Sequence, residues 1–279
     1  MKYERKNALK CCALIEMLYS MIDVWEQQGK PQHEGNFKWT PPQMADFPVF
    51  GDLVWSRERK WVRGHGPKGK DHWEYVRSPM IIAAATSDSR IFLAVRGTSV
   101  NPEWYTDTDF FSETVTIGPA KKVSVHEGFY FAFDSCRDAV IASITALSQK
   151  IGGAPAGLVV SGHSLGAALA TLFPLSIYAS DWFANSGLSD MSVYGIATPR
   201  AGKKDFADTY NSMEAIKTFN IRNTKDIIPD LPPDSFGFRP VGQNLNFTQD
   251  WNNPAANHTM PVYHAAIENG WGDLGTDEA

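Results

Sequence analysis

The residues of this chain best placed to do chemistry are Gly162-His163-Ser164-Leu165-Gly166, set between the short apolar run 158–160 and a stretch of small residues that reads as a helix. A serine at a sharp strand-to-helix turn is a nucleophile candidate. The turn strains its backbone, glycines two positions to either side let strand and helix approach without side-chain clash, and the hydroxyl is presented at the carboxyl edge of a sheet. The positive end of the helix and the amide of Leu165 can then meet an oxyanion. Such a serine needs a base and an orienting acid, which on this kind of turn follow in the order Ser, Asp, His. Asp226, in Asn223-Thr-Lys-Asp-Ile-Ile-Pro-Asp-Leu-Pro232 after an apolar strand, is the acid candidate; Asp230 and Asp234 read as solvated turn carboxylates of a Pro-rich loop. His258 and His264 both lie downstream as candidate bases. His163, locked beside the nucleophile, cannot easily turn its ring onto the neighbouring hydroxyl and reads as structural.

Positioning these residues requires a sheet with helices, and the pattern supplies one. Leu9, Ala13, Met17, Met21 and Val24, joined by Leu14 and Leu18, recur at helical spacing and predict an amphipathic helix over about residues 6–27, ended by Gly29 and Pro31. The stretch 29–48 reads as a surface excursion tied down by Phe37, Trp39 and Phe47, and 64–71 as a hairpin end. Runs 80–85 and 91–95, separated by Ser87, Asp88 and Ser89, predict neighbouring buried strands. A helix over 129–150, a strand at 158–160, a helix over 165–179, a strand at 192–196, a helix over 203–212, a strand at 216–221 and a last helix near 263–269 complete the pattern. Pro174 is expected to kink the helix over 165–179 near Ala170. Alternating strands and helices favour a largely parallel sheet covered on both faces.

Composition narrows the function classes. The length of 279 residues suits one large core and predicts a single domain over 1–279; 43% hydrophobic and 20% charged residues exclude a disordered or fibrous chain. A net charge of -5 offers no basic footprint for nucleic acid. No apolar run reaches the roughly 20 residues that cross a bilayer. The charged stretch from Lys2 to Lys10 leads into an apolar run that Glu16 interrupts, so no export signal is read, and cytoplasmic residence or non-classical secretion is expected. Cys11, Cys12 and Cys136 have neither metal spacing nor the pattern of a disulfide framework, and His65 and His72 have no third ligand spaced to join them; no metal or cofactor is expected. The sequons at Asn246 and Asn257 are read as chance matches.

Several separated motifs together resemble the class 3, fungal-type triacylglycerol lipases of the α/β-hydrolase superfamily. Arg96-Gly-Thr98 is similar to that family's oxyanion segment and Glu103-Trp104-Tyr-Thr-Asp107 to the start of its lid. His126-Glu-Gly-Phe129 is similar to its His-x-Gly-Phe element, Gly162 to Gly166 to its elbow, and Asn223 to Pro232 to its acid loop. His258-Thr-Met-Pro-Val-Tyr263 resembles its histidine followed by an aromatic. The resemblance covers about residues 80–265. It implies an α/β-hydrolase fold and a Ser164, His258, Asp226 triad, with His264 left a structural helix residue. It also implies an oxyanion hole from the amides of Leu165 and Thr98, and a lid over 99–111 carrying Trp104, Tyr105, Phe110 and Phe111. The alternatives are that Thr98 only caps its segment and that the lid is a fixed surface helix. Arg96 is expected in a buried ion pair, with Asp107 as the suggested partner. The implied substrate is a lipid or small ester, with contact at a lipid–water interface. The resemblance extends to phospholipase A1, galactolipase and feruloyl esterase activities, because fold and triad do not set the acyl pocket. A non-catalytic lipid- or partner-binding domain is disfavoured by the complete triad, and a serine peptidase by the lipase-like motifs around it.

Overall fold

The structure, a computed structural model, describes residues 2–62, 72–98 and 110–275. The hairpin end 64–71 with His65, and the lid positions 99–109 with Trp104, Tyr105 and Asp107, lie outside the described residues. Chain order runs α1 (Arg5–Gln27), β1 (Val49–Phe50), β2 (Val54–Val62), β3 (His72–Ala85), β4 (Arg90–Val95), β5 (Ser112–Ile117) and β6 (Ala120–His126). Next come α2 (Glu127–Asp134), α3 (Arg137–Lys150), β7 (Gly157–His163), α4 (Leu165–Tyr178), α5 (Asp181–Asn185) and β8 (Met191–Ile196). The chain continues through β9 (Gly202–Lys203), α6 (Lys204–Asn211), β10 (Ile216–Asn223), β11 (Phe238–Arg239), β12 (Gln243–Phe247), α7 (Pro254–Asn257) and α8 (Met260–Asn269).

Among the described residues, eight strands form the central sheet, in the order β1-β3-β4-β7-β8-β10-β12 with β2 paired to β3. The β4, β7, β8, β10 and β12 neighbours pair in parallel, while β1, β2 and β4 each pair with β3 in antiparallel fashion. This is the α/β-hydrolase architecture, and the reason is visible in the strands. Alternate residues enter opposite cores: Ile91, Leu93 and Val95 of β4 face one cluster while Phe92 and Ala94 face the other, and Leu158 and Val160 of β7 oppose Val159. A strand buried on both faces reads as a continuous apolar run. One face is covered by α2, α3, α4 and α6 and the other by α1 and α8.

Two features differ from the sequence-based expectation. The helix predicted over 129–150 is two helices, α2 and α3, parted at Ser135 and Cys136. Ser135 Oγ donates to the Ala132 carbonyl at 2.7 Å and accepts the Arg57 amide at 2.9 Å, so the break is tied to β2. The second feature is a small antiparallel sheet, β11-β9-β6-β5, whose strands β5 and β6 precede α2 in the chain. α4 continues through Pro174. No described helix is long and apolar enough to cross a membrane.

Candidate active site

The nucleophile candidate ends β7. Ser164 has φ 57° and ψ -128°, a left-handed backbone that a non-glycine residue adopts only under constraint, at about 1–3 kcal/mol. The constraint comes from close packing at the two flanking glycines. A Cβ on Gly162 would lie 2.2 Å from the Gly166 carbonyl oxygen, and one on Gly166 would lie 2.4 Å from the Val95 and Arg96 carbonyl oxygens. Only glycine fits at either place, and the elbow is thereby pressed against the end of β4. The Ser164 amide is held by the Ile196 carbonyl at 3.0 Å, which registers the turn to β8.

The carboxyl ends of β7, β10 and β12 converge on one edge of the sheet, where sites of open α/β sheets form. There Ser164 Oγ lies 2.8 Å from His258 Nε2, and His258 Nδ1 lies 2.7 Å from Asp226 Oδ2. The buried Asp226 carboxylate accepts three hydrogen bonds: His258 Nδ1–H, the Tyr263 hydroxyl at 2.7 Å and the Ile228 amide at 2.9 Å. Tyr263 itself accepts the Asn223 amide at 3.2 Å. With Nδ1 turned to the acid, Nε2 of His258 is the ring nitrogen aimed at the serine hydroxyl and the one placed to take its proton. This is the arrangement of a nucleophile, a general base and an orienter. Asp230 instead pairs with Arg222 at 2.6 Å and Arg200 at 3.2 Å, and Asp234 with Arg200 at 2.8 Å. The two rival carboxylates thus tie down the loop that carries Asp226.

His264 is set apart from the triad, its Nδ1 2.8 Å from Glu16 Oε1 of α1. His163 stacks beside His258 with ring centroids 4.8 Å apart, and its Nε2 lies 2.9 Å from the His258 carbonyl oxygen. Burial, with a smaller contribution from His258, holds the His163 imidazole well below its ordinary pKa, so it stays neutral. Asn257 is buried. Its amide donates to the Lys225 carbonyl at 3.2 Å and its Oδ1 accepts the Trp251 amide at 2.8 Å, an arrangement incompatible with a sugar on that nitrogen.

The segment after β4 lies directly against the elbow. A Cβ on Gly97 would come within 3.0 Å of the His163 carbonyl oxygen and 3.1 Å of Ser164 Cβ, so the peptide that leads into Thr98 packs against the nucleophile turn, where α4 begins at Leu165. Arg96 is fully buried. Its guanidinium donates to the Pro79 carbonyl at 2.8 Å, to Ser78 Oγ at 2.7 Å and to the Gly97 carbonyl, and lies 3.6 Å from Glu58 Oε1. The ion-pair partner among the described residues is thus Glu58 of β2. Because a trans peptide sets C=O and N–H in opposite directions, pinning the Gly97 carbonyl also sets the direction of the Thr98 amide. Of the segment 99–111 expected to form a lid, the described Phe110 packs on Phe236 with centroids 5.1 Å apart, and Phe111 is exposed.

Tyr19, Glu58 and the side chain of Asn223 join the site only through the fold. Asn223 binds both the Gln249 amide, at 3.0 Å, and the Asn257 carbonyl, at 3.2 Å, and so staples the end of β10 to the loop leading to His258. No local pattern distinguishes it from any other asparagine at a strand end. Among the described residues no group of three His, Cys, Asp or Glu side chains is placed to hold a metal ion.

Comparison with known proteins follows the same lines. The family model described as lipase (class 3) matches residues 92–236. Phospholipase A1-II 3 of Oryza sativa subsp. japonica is 27% identical over 245 residues, covering 77% of this chain and 54% of that protein. The lipase of Rhizomucor miehei is 31% identical over 170 residues, covering 61% of this chain and 45% of that protein. A solved structure of Rhizomucor miehei triacylglyceride lipase matches with a TM-score of 0.54 and 27% identity, over 61% of this chain and 62% of that one. The chain spans about half the length of the curated relatives it matches.

Proposed function

The chain belongs to the class 3 lipase family, and from that premise we propose that it is a serine hydrolase cleaving carboxylic esters of acyl lipids through an acyl-enzyme. The observation that carries this reading is the continuous relay from Asp226 through His258 to Ser164, at 2.7 and 2.8 Å. Ser164 attacks the ester carbonyl while His258 takes its proton, and the tetrahedral oxyanion is received by the Leu165 and Thr98 amides. His258 returns the proton to the departing alcohol, and water then releases the acyl group by the same route. Asp226 keeps the imidazole in the required tautomer throughout.

Triacylglycerol is the first substrate reading, in line with the solved structure named as Rhizomucor miehei triacylglyceride lipase. Phospholipid is the second, favoured by relatives named phospholipase A1 that match a larger share of this chain. Contact with a lipid–water interface is supported by apolar side chains left in solvent on segments around the site. Phe111, Ile227, Phe236 and Trp251 are each more than half exposed, and Ile227 directly follows Asp226. The lid reading of 99–111, with Trp104 and Tyr105, belongs to the same proposal.

Hydrolysis is measured on a dissolved short-chain ester, an emulsified long-chain triacylglycerol and phosphatidylcholine vesicles, with Ser164→Ala beside the wild type. Cleavage of any of the three that the substitution lowers by on the order of 10⁶ supports the triad. Cleavage that survives Ser164→Ala sinks it. A higher rate on emulsion or vesicles than on dissolved ester supports interfacial action, and the faster of the two names the headgroup class.

A further inference from the structure

The N-terminal helix lies outside the residues matched by the family model, yet one of its side chains reaches the reactive centre. The Tyr19 hydroxyl oxygen is 3.0 Å from the Gly97 amide nitrogen and 2.7 Å from His163 Nδ1, and His163 Nε2 is 2.9 Å from the His258 carbonyl oxygen. The directions of these bonds follow without ambiguity. A carbonyl oxygen only accepts, so Nε2 of His163 carries the hydrogen; the ring is neutral, so Nδ1 is an acceptor; Tyr19 therefore donates its hydrogen to Nδ1 and accepts the Gly97 amide on its lone pair. Burial pushes the Tyr19 phenol up to about 12, which keeps that hydrogen in place.

We propose that Tyr19 is a positioning residue for the hydrolytic site, joining the Gly97 amide to His163 and, through the His163 ring, to the backbone of His258. The strut spans the two groups that must be registered to each other during reaction. At one end is the peptide next to the Thr98 oxyanion donor, at the other the backbone of the general base. Glu16, one turn earlier on α1, holds His264 at 2.8 Å, so α1 also grips the helix that follows His258. Without the Tyr19 hydroxyl the Gly97 amide is buried unpaired and His163 Nδ1 loses its donor, so the ring is held only at Nε2, by the His258 carbonyl, and no longer ties that backbone to the Gly97 peptide.

This inference rests on the hydrolase reading above, and the experiment separates the two. Tyr19→Phe keeps the ring and removes the hydroxyl. With the wild type active and Ser164→Ala inactive, Tyr19→Phe is expected to lower kcat about tenfold with KM within about twofold, since placement of catalytic groups and not substrate binding is lost. Ile15→Val, which trims a buried methylene from the same helix, is the packing control and is expected to lower Tm while leaving kcat unchanged. Equal kcat in Tyr19→Phe and wild type overturns the proposal and leaves the hydrolase reading intact. A loss shared with Ile15→Val also overturns it, because ordinary packing then accounts for the effect. A ¹⁵N spectrum of wild-type imidazoles near neutral pH needs no variant to fold. It is expected to find His163 protonated at Nε2 alone, and protonation at Nδ1 rejects the strut.

Discussion

At the scale of single residues, the triad acid is held from three sides, and Tyr263, read from sequence only as the aromatic that follows His258, proves to be one of the donors. Its hydroxyl gives one hydrogen bond to Asp226 Oδ2 and accepts one from the Asn223 amide, so it fixes the carboxylate and the end of β10 together. Tyr263→Phe leaves both partners buried and short of one bond, which costs about 1–3 kcal/mol of stability for the unpaired amide. It also lets the carboxylate rotate away from His258. Steady-state kinetics is expected to find kcat down about tenfold with KM little changed, well short of the roughly 10⁴ loss typical when the acid itself is amidated, as in Asp226→Asn. Equal kcat in Tyr263→Phe and wild type would mean that His258 and Ile228 suffice to hold the carboxylate. Ser164 and Asp226 were legible because each carries a chemical signature in a definite order along the chain, whereas His258 was set apart from His264 only by the resemblance to the class 3 lipases. Tyr19 and Asn223 were not legible, because they act through backbone groups whose positions exist only in the folded chain.

At the scale of elements, legibility followed burial. The strands β4, β7 and β8 are buried on both faces and carry apolar runs that stand out in the sequence, while β10, with Lys217, Asn220 and Arg222 among its residues, stands out less. β2 carries four charged residues in nine, and β5 and β6 are half solvated, so their patterns are diluted. The break between α2 and α3 is invisible for a different reason: Phe129, Ala132, Phe133, Cys136, Val140 and Ile144 face one core across it, so the apolar spacing never falters. α2 also carries a pH liability. His126 caps it by accepting the Phe129 amide on Nδ1, and burial depresses its pKa from 6.5 to about 4. A depressed folded-state pKa means that the unfolded chain binds the proton first. The stability contributed by neutral His126 is therefore full above pH 6.5 and is lost as pH falls from 6.5 towards 4. By linkage the loss between pH 7 and pH 5 is about 2 kcal/mol. His126→Asn keeps a side-chain cap without a titrating group. Urea unfolding of wild type and variant at both pH values is expected to show a smaller decline for the variant; parallel declines would place the acid sensitivity at other groups.

At the scale of the whole molecule, the sheet separates two cores that do different work. The core under α2, α3, α4 and α6 backs the elbow, while the opposite face is closed by α1 and α8. α1 was legible almost to the residue, 6–27 against Arg5–Gln27, because a helix lying on a sheet must bury one continuous stripe. What periodicity could not reveal is that this cover and the site are coupled, since Glu16 and Tyr19 reach His264 and His163 from the polar margin of that stripe. Cover and coupling can be separated at Leu14, which is fully buried among the residues of the α1 face. Leu14→Ala leaves Glu16 and Tyr19 in place and opens a cavity, with an expected cost of about 3 kcal/mol. In a chain of this length that corresponds to a Tm lower by roughly 5–10 °C. Below the lowered transition kcat should match the wild type, because the polar contacts of α1 with the site remain. Calorimetry and initial rates on one preparation decide the matter: a fallen Tm with kcat preserved assigns Leu14 to closure of the core, whereas kcat falling well below the transition would mean that the packing of α1, and not its hydroxyl and carboxylate alone, sets the geometry at His258.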